Sequence, residues 1–352
     1  MPQIIRSRAL RRLVLWPIGL LLAAYLVLSL GLVALELLVR EEAGLEEAVI
    51  AHSQEPHRMA LLDNGSASLQ RRLELIEGAR STIELEFFIY NVDQASKLLT
   101  QALVTKAKEG VKVRVLVDFS LPVFKLKPVY ARFLKEQVVE VRYYNTSAAY
   151  RVVSIQHRSH RKLLIVDGTT VITGGRNIAD EYFDLGPEYN FLDSDLELSG
   201  PIVRKVGASF DLYWGSELSL DPAHLTAEVP AEEMAKAKGF FLPGEQDLAE
   251  LKKVQQAAAL IMPGRKEHEC RDLTFVTDLP NHGEKSRRVF TAIVEELKGA
   301  KGQVFVETPY FVIRDGGYEV LSELGKRGVH VNVLTNSLRS TDAADAVSAL
   351  FP

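Results

Sequence analysis

His160-Arg161-Lys162-Leu163-Leu164-Ile165-Val166-Asp167-Gly168-Thr169-Thr170-Val171-Ile172-Thr173-Gly174-Gly175-Arg176-Asn177 decides the fold. Two apolar, β-branched runs flank Asp167-Gly168, a dipeptide suited to a tight turn, so the stretch predicts a β-hairpin. Side chains alternate across a strand, which places His160 and Lys162 on one side at its polar start. Gly174-Gly175 permits a close backbone approach just before Asn177, and Ile178 onward can open a helix.

Outward from this hairpin the chain alternates helix and strand. Leu69, Leu73 and Ile76 share one face of a helix over Ser68–Glu77, Thr82–Tyr90 reads as a strand, Ala95–Glu109 as a helix, and Val111–Val117 as a second strand. Short links between such elements predict an α/β domain with a parallel or mixed sheet. The pattern returns later. Ala79–Glu86 aligns with Ala300–Glu307 at an offset of 221, and Glu109–Leu116 aligns with Arg327–Leu334 at an offset of 218. Glu86/Glu307, Phe87-Phe88/Tyr310-Phe311 and Gly110/Gly328 correspond, which favours a duplicated unit over generic α/β similarity.

At the other end, Leu13–Leu35 holds no charged residue. Its 23 residues reach about 34 Å as a helix, enough for a hydrocarbon core of about 30 Å. Arg6, Arg8, Arg11 and Arg12 precede it, and Glu41, Glu42, Glu46 and Glu47 follow Arg40, predicting a cytoplasmic N-terminus with the remainder outside. A cleaved signal peptide ending near Ser29-Leu30-Gly31 is the rival, but the apolar run is long for one. Residues 1–40 carry five Arg and one Glu, leaving 37 basic and 45 acidic residues, a net −8. That balance argues against tracking a nucleic-acid backbone. Cys270, the sole cysteine, excludes an internal disulfide and a cysteine metal cluster.

An imidazole, an ammonium and an amide near backbone N–H groups suit attack on a phosphodiester, with His160 as nucleophile and Lys162 and Asn177 steadying the phosphoryl oxygens. The scheme needs no metal and no cofactor; His157, His160 and Asp167 lack a convincing further ligand. Asp193 and Asp195 share a strand face and are either a second layer around His160 or solvated carboxylates. Phe210, Tyr213 and Trp214 have helical spacing and read as core packing.

His160-x-Lys162-x4-Asp167-x6-Gly174-Gly175-x-Asn177 resembles the HxKxxxxD signature of the phospholipase D superfamily. Ile178-Ala179-Asp180-Glu181-Tyr182-Phe183 is similar to its bacterial cardiolipin synthase branch, as is Gly174-Gly175 where many members have Gly-Ser. The resemblance covers roughly Leu61 to the end. It implies a phospholipase D-like α-β-α sandwich with duplicated halves. It also implies catalytic roles for His160, Lys162 and Asp167, the last orienting or supporting the motif, with phosphate bound by Lys162, Asn177, Gly174 and Gly175.

The family builds one site from two His-x-Lys motifs. Residues 288–352 contain no second one, and the 218-residue offset would place it 26 residues past Pro352. The expected organisation is an anchor over 1–40, a first half over 41–220, a mostly helical connector over 221–287, and the start of an incomplete second half over 288–352. The expected function is membrane-associated phosphatidyl transfer or phospholipase D hydrolysis through a phosphohistidine. Glycerophospholipids such as phosphatidylglycerol and the bilayer are the expected partners, with no nucleic acid, and the C-terminal remainder supplies the missing half-site. The expected setting is a bacterial inner membrane, single-pass, with the catalytic domain on the periplasmic side. A nuclease or other phosphodiesterase, or a non-catalytic lipid-binding half, are the alternatives.

Overall fold

A computed structural model describes residues 15–27, 30–31, 50–119, 126–146, 158–225, 229–242, 244–260, 266–280, 288–311, 313 and 315–337. The chain divides into two compact units, Met1–Phe275 with Leu279–Lys285, and Val276–Asp278 with Ser286–Pro352.

The first unit is organised by a nine-stranded mixed sheet. In chain order its strands are β2 (His57–Leu62), β3 (Thr82–Phe87), β4 (Lys112–Asp118), β5 (Val139–Tyr144), β6 (Leu163–Val166), β7 (Thr170–Gly174), β8 (Asp195–Ser199), β9 (Ser219–Leu220) and β10 (Glu267–Cys270). They lie in the order β10-β2-β8-β7-β6-β3-β4-β5-β9, while β1 (Ile50–Ser53) pairs with β11 (Leu273–Val276) in a separate small sheet. β3, β4 and β5 run parallel, and β6 enters antiparallel against β3.

Helices α1 (Gly65–Gly78), α2 (Gln94–Lys108) and α3 (Pro128–Glu136) contribute Leu69, Leu73, Leu98, Leu99, Phe133 and Leu134 to a core that takes Ile83, Leu85 and Phe87 from β3. A second core joins Val203, Val206, Phe210, Tyr213 and Trp214 of α4 (Val203–Gly215) with Leu163 and Ile165 of β6. Leu164 and Val166 belong to the first core, so β6 is buried on both faces, which is why its sequence runs apolar without alternation. The local chemistry sets the helix starts: Asn64 accepts from the Ala67 N–H at 2.8 Å, and Asp93 and Ser96 cap α2 reciprocally.

The described part of the charge-free run is a helix over 15–27 with exposed side chains. Among the described residues no helix is long and apolar enough to cross a membrane; residues 13–14, 28–29 and 32–35 of that run lie outside them. The stretch 221–287, expected as a mostly helical connector, also contributes strands. Besides α5 (Ala231–Phe241) and α6 (Glu245–Leu260), it supplies β10, which pairs with β2 at the sheet edge, and α5 sets Ala237 and Phe241 into the first core. His157 lies outside the described residues.

The second unit holds α7 (Arg288–Gly299), β12 (Gln303–Glu307), α8 (Asp315–Lys326) and β13 (His330–Leu334) around Val320, Leu324 and Val329. Its two strands pair in parallel with Gln303 opposite His330, just as Thr82 stands opposite Lys112 in β3–β4. The sequence offsets of 221 and 218 therefore carry one register onto the other.

Candidate active site

The Asp-Gly turn folds as its residues dictate. Asp167 and Gly168 both have positive φ, 52° and 61°, at the centre of a turn. The Thr169 N–H closes it on the Val166 carbonyl at 3.1 Å, with three residues separating the paired Val166 and Thr170. Asp167 sits five residues, about 16 Å of extended chain, from Lys162. Its carboxylate accepts from the N–H groups of Arg80, Ser81 and Thr82 and from the Ser81 hydroxyl, at 2.7–3.1 Å. Desolvation works against the charge, yet the N–H groups of Thr82, Ser81 and Arg80 together hold Asp167 below the usual carboxylate value. The structure thus places Asp167 at the base of β3 and β6, away from the other motif residues.

At the opposite end, His160 and Lys162 meet as their spacing predicts. Lys162 Nζ lies 2.9 Å from His160 Nδ1 and 2.8 Å from the His160 carbonyl oxygen. Phe88, just past β3, sets its ring 4.7 Å from the imidazole and 5.7 Å from Nζ. Lys162 is buried while His160 is exposed. Desolvation by the surrounding wall, with the Lys162 charge added, lowers the His160 pKa to about 4. Desolvation lowers Lys162 to about 7, against the pull of Asp193, Asp118 and Asp195. At neutral pH the imidazole is therefore uncharged and keeps a lone pair.

Asn177 is buried and held at both ends. Its Oδ1 accepts from the Ile89 N–H, and its Nδ2, which carries two hydrogens, donates one to the Tyr182 hydroxyl, both at 3.0 Å. A backbone bridge between Tyr90 and Ile178 brings this segment beside Phe88 and hence beside His160. Ile178 opens only a short 3-10 turn, Asp180–Tyr182.

The glycine pair serves a close approach. A Cβ at Gly174 would strike Asp195 and the Ser194 carbonyl, and one at Gly175 would strike the Asp193 carboxylate. The Gly175 N–H is already engaged with the Ser194 carbonyl at 3.1 Å. The two carboxylates beyond them differ in kind. Asp193 is raised above its usual value, chiefly by desolvation, and interacts electrostatically with Lys162. Asp195 is buried against Ser68 Oγ (2.7 Å), Arg72 (3.0 Å) and Arg176 (3.3 Å), a structural cluster with no contact to His160. Arg176 also donates to the carbonyls of Leu62, Asp63, Tyr182 and Asp193, which binds the strand ends around the site.

The sequence pattern marks Glu86 only as a match of the repeat, and it assigns no site role to Arg72, Arg176 or the group around Glu86, which includes Asp118, Arg158 and Ser159. The available signal was Glu84 and Glu86 alternating inside an otherwise apolar strand. Phe210, Tyr213 and Trp214 are buried, as their spacing indicated. Among the described residues no group of three or more His, Cys, Asp or Glu could hold a metal ion.

Residues 73–214 match the family described as "Cardiolipin synthase, PLD-like domain". The chain is 31% identical over 307 residues to an uncharacterized protein of Helicobacter pylori, covering 80% of this chain and 60% of that one. It is 28% identical over 318 residues to cardiolipin synthase C of Escherichia coli, covering 83% and 66%. It therefore spans about 60% of the length of such relatives. The fold is shared with the crystal structure of phosphatidylserine synthase from Haemophilus influenzae, at a TM-score of 0.54 and 16% identity, over 81% of this chain and 62% of that one. These likenesses support the phospholipase D superfamily, in its cardiolipin synthase branch, with residues 73–214 as the matching domain.

Proposed function

We propose that this chain carries the nucleophile half of a phosphatidyltransferase or phospholipase D that acts on glycerophospholipid phosphodiesters such as phosphatidylglycerol. The observation that carries the reading is the His160 imidazole fixed 2.9 Å from Lys162 Nζ in a domain that matches the cardiolipin synthase type. An imidazole nitrogen attacks phosphorus, a P–N bond forms, and the P–O bond to the leaving alcohol breaks. Lys162 and the Asn177 amide steady the charge on the non-bridging oxygens. An acceptor alcohol or water then attacks phosphorus, breaks the P–N bond and restores His160. The leaving alkoxide needs a proton, which a second His-x-Lys in the second half would donate. The β12–β13 register, which repeats that of β3–β4, supports reading the β12–α8–β13 unit as the start of that half.

In this scheme Asp167 supports the motif from the far end of β6, Gly174 and Gly175 let Asp193 approach, and Asp193 partners Lys162. The apolar run over 13–35 holds the site at the inner membrane in a single pass, N-terminus inside and catalytic domain on the periplasmic face. The net −8 after residue 40 weighs against a nucleic-acid substrate. Incubating the full-length protein with radiolabelled phosphatidylglycerol tests the reading. Labelled cardiolipin or phosphatidic acid is expected, and unchanged product formation by His160→Ala would sink it.

A further inference from the structure

We infer that Glu86 is a positioning residue for His160: one buried carboxylate holds the residues on either side of the imidazole and fixes where it projects. Glu86 Oε1 accepts from Ser159 Oγ at 2.6 Å, and Oε2 lies 3.3 Å from the Arg161 guanidinium. Strand alternation makes this possible. Ser159 and Arg161 share the α4 side, while His160 and Lys162 turn to the other. Glu86 comes from β3, paired opposite Leu163, so it sits level with the residues that enter β6.

Both clamped residues are tied further. The Ser159 N–H donates to Asp118 at the end of β4 at 2.9 Å. Arg161 donates to Ser209 of α4 at 2.9 Å and stacks 4.2 Å over the Tyr213 ring. The peptide carrying His160 is thereby fixed to two strands and a helix. A carboxylate at 1% exposure is a costly way to fill space beside Leu163 and Leu116, because a hydrophobic residue would avoid the desolvation. Glu84, two residues earlier on the same face, gives the contrast. It pairs with Arg114 and Thr82 and touches neither neighbour of His160.

The catalytic consequence rests on His160 being the reacting group; the geometric claim does not, and it is tested without turnover. The probe is the titration of His160 in the full chain labelled with 15N-histidine, its resonance assigned by His160→Gln and folding followed by circular dichroism. In Glu86→Ala the His160 midpoint is expected to rise toward the ordinary value of about 6.5. Glu86→Gln, whose amide oxygen still accepts from Ser159, is expected to restore most of the wild-type midpoint. Glu84→Ala is expected to lower the melting temperature while leaving His160 in place. A folded Glu86→Ala with an unchanged His160 midpoint overturns the inference, and so does an equal displacement in Glu84→Ala. Should Glu86→Ala not fold, Ser159→Ala removes one arm of the clamp, and an unmoved His160 there overturns it as well. Absence of phosphatidyl transfer by the full-length protein would count against the proposed function and leave these titrations interpretable.

Discussion

Lys162 Nζ stands 2.9 Å from His160 Nδ1, so each group bears on the other's proton. Desolvation and the Lys162 charge hold the imidazole near 4, and desolvation brings the ammonium down to about 7. The nucleophile must be neutral and the phosphate-binding lysine charged, so kcat/KM of the full-length enzyme is expected to rise through pH 4 and fall through pH 7. A bound phosphodiester anion favours the charged lysine, so the basic limb of kcat should lie higher than that of kcat/KM. A profile of kcat/KM that still climbs between pH 7 and 9 would falsify this assignment of the two limbs.

The same lysine should weaken the fold. Its folded value is about 7 and its ordinary value 10.5, so between those limits the unfolded chain binds a proton that the folded chain does not. Stability contributed by this site therefore rises with pH across that window, and the full penalty is present below pH 7. Lys162→Met, of similar volume and without charge, is expected to raise the melting temperature at pH 6, with the gain shrinking toward pH 10. Thermal melts at both values check it. A gain that is absent at pH 6, or equal at both, goes against the burial argument.

Asp167 offers a separate test because it lies far from the imidazole. Its carboxylate gathers three backbone N–H groups and one hydroxyl at the start of β3. Hydrogen bonds to a charged acceptor are worth about 1.5–3 kcal/mol, so Asp167→Ala is expected to cost roughly 2 kcal/mol of stability by urea unfolding. With a folded value below the ordinary one, its contribution is complete above the usual carboxylate range and lost as pH falls through the folded value. Folded Asp167→Ala protein should keep most of its turnover per molecule, whereas His160→Ala should lose nearly all. Complete inactivity of well-folded Asp167→Ala would assign Asp167 a direct part in the reaction.

What the sequence made legible was local. Asp167-Gly168 between two apolar runs dictated the hairpin, and the spacing of His160 and Lys162 dictated their shared side. Glu86, Asp118 and Ser159 converge from segments more than 30 residues apart, which no local pattern reveals; only the two carboxylates interrupting β3 hinted at an inward polar group. Strand β10 was missed because Glu267-His268-Glu269-Cys270 is polar on both faces, as an exposed edge strand can be. The charge-free run is legible as an apolar stretch long enough for a membrane span, and its described residues, 15–27 and 30–31, are helical.

Gly175 tests the close approach of Asp193. A Cβ there would overlap the Asp193 carboxylate, which cannot yield freely because Ser194 N–H holds it at 2.7 Å. Gly175→Ala is expected to cost about 1–3 kcal/mol by overpacking and to displace Asp193 from Lys162. With that negative charge gone, the Lys162 pKa should fall further, visible as an acid shift of the basic limb of kcat/KM. Wild-type stability and an unmoved limb in Gly175→Ala would mean that the strand relaxes without disturbing the site.

Asp195 tests whether the buried cluster, and not the reacting pair, claims that residue. Arg72 and Arg176 are both buried and face its carboxylate at 3.0 and 3.3 Å. Burial pulls the Arg72 pKa down while Asp195 supports its charge. Removing one partner of a buried ion pair strands the other, at about 3–5 kcal/mol. Asp195→Ala should therefore unfold at much lower urea, and Asp195→Asn, which still accepts hydrogen bonds, should lose less. The exposed pair Lys236–Glu232 is the control, since solvent screens such a surface bridge and it adds little to stability. If Asp195→Ala and Glu232→Ala shift the urea midpoint equally, the cluster does not hold β8 against α1 as its geometry indicates.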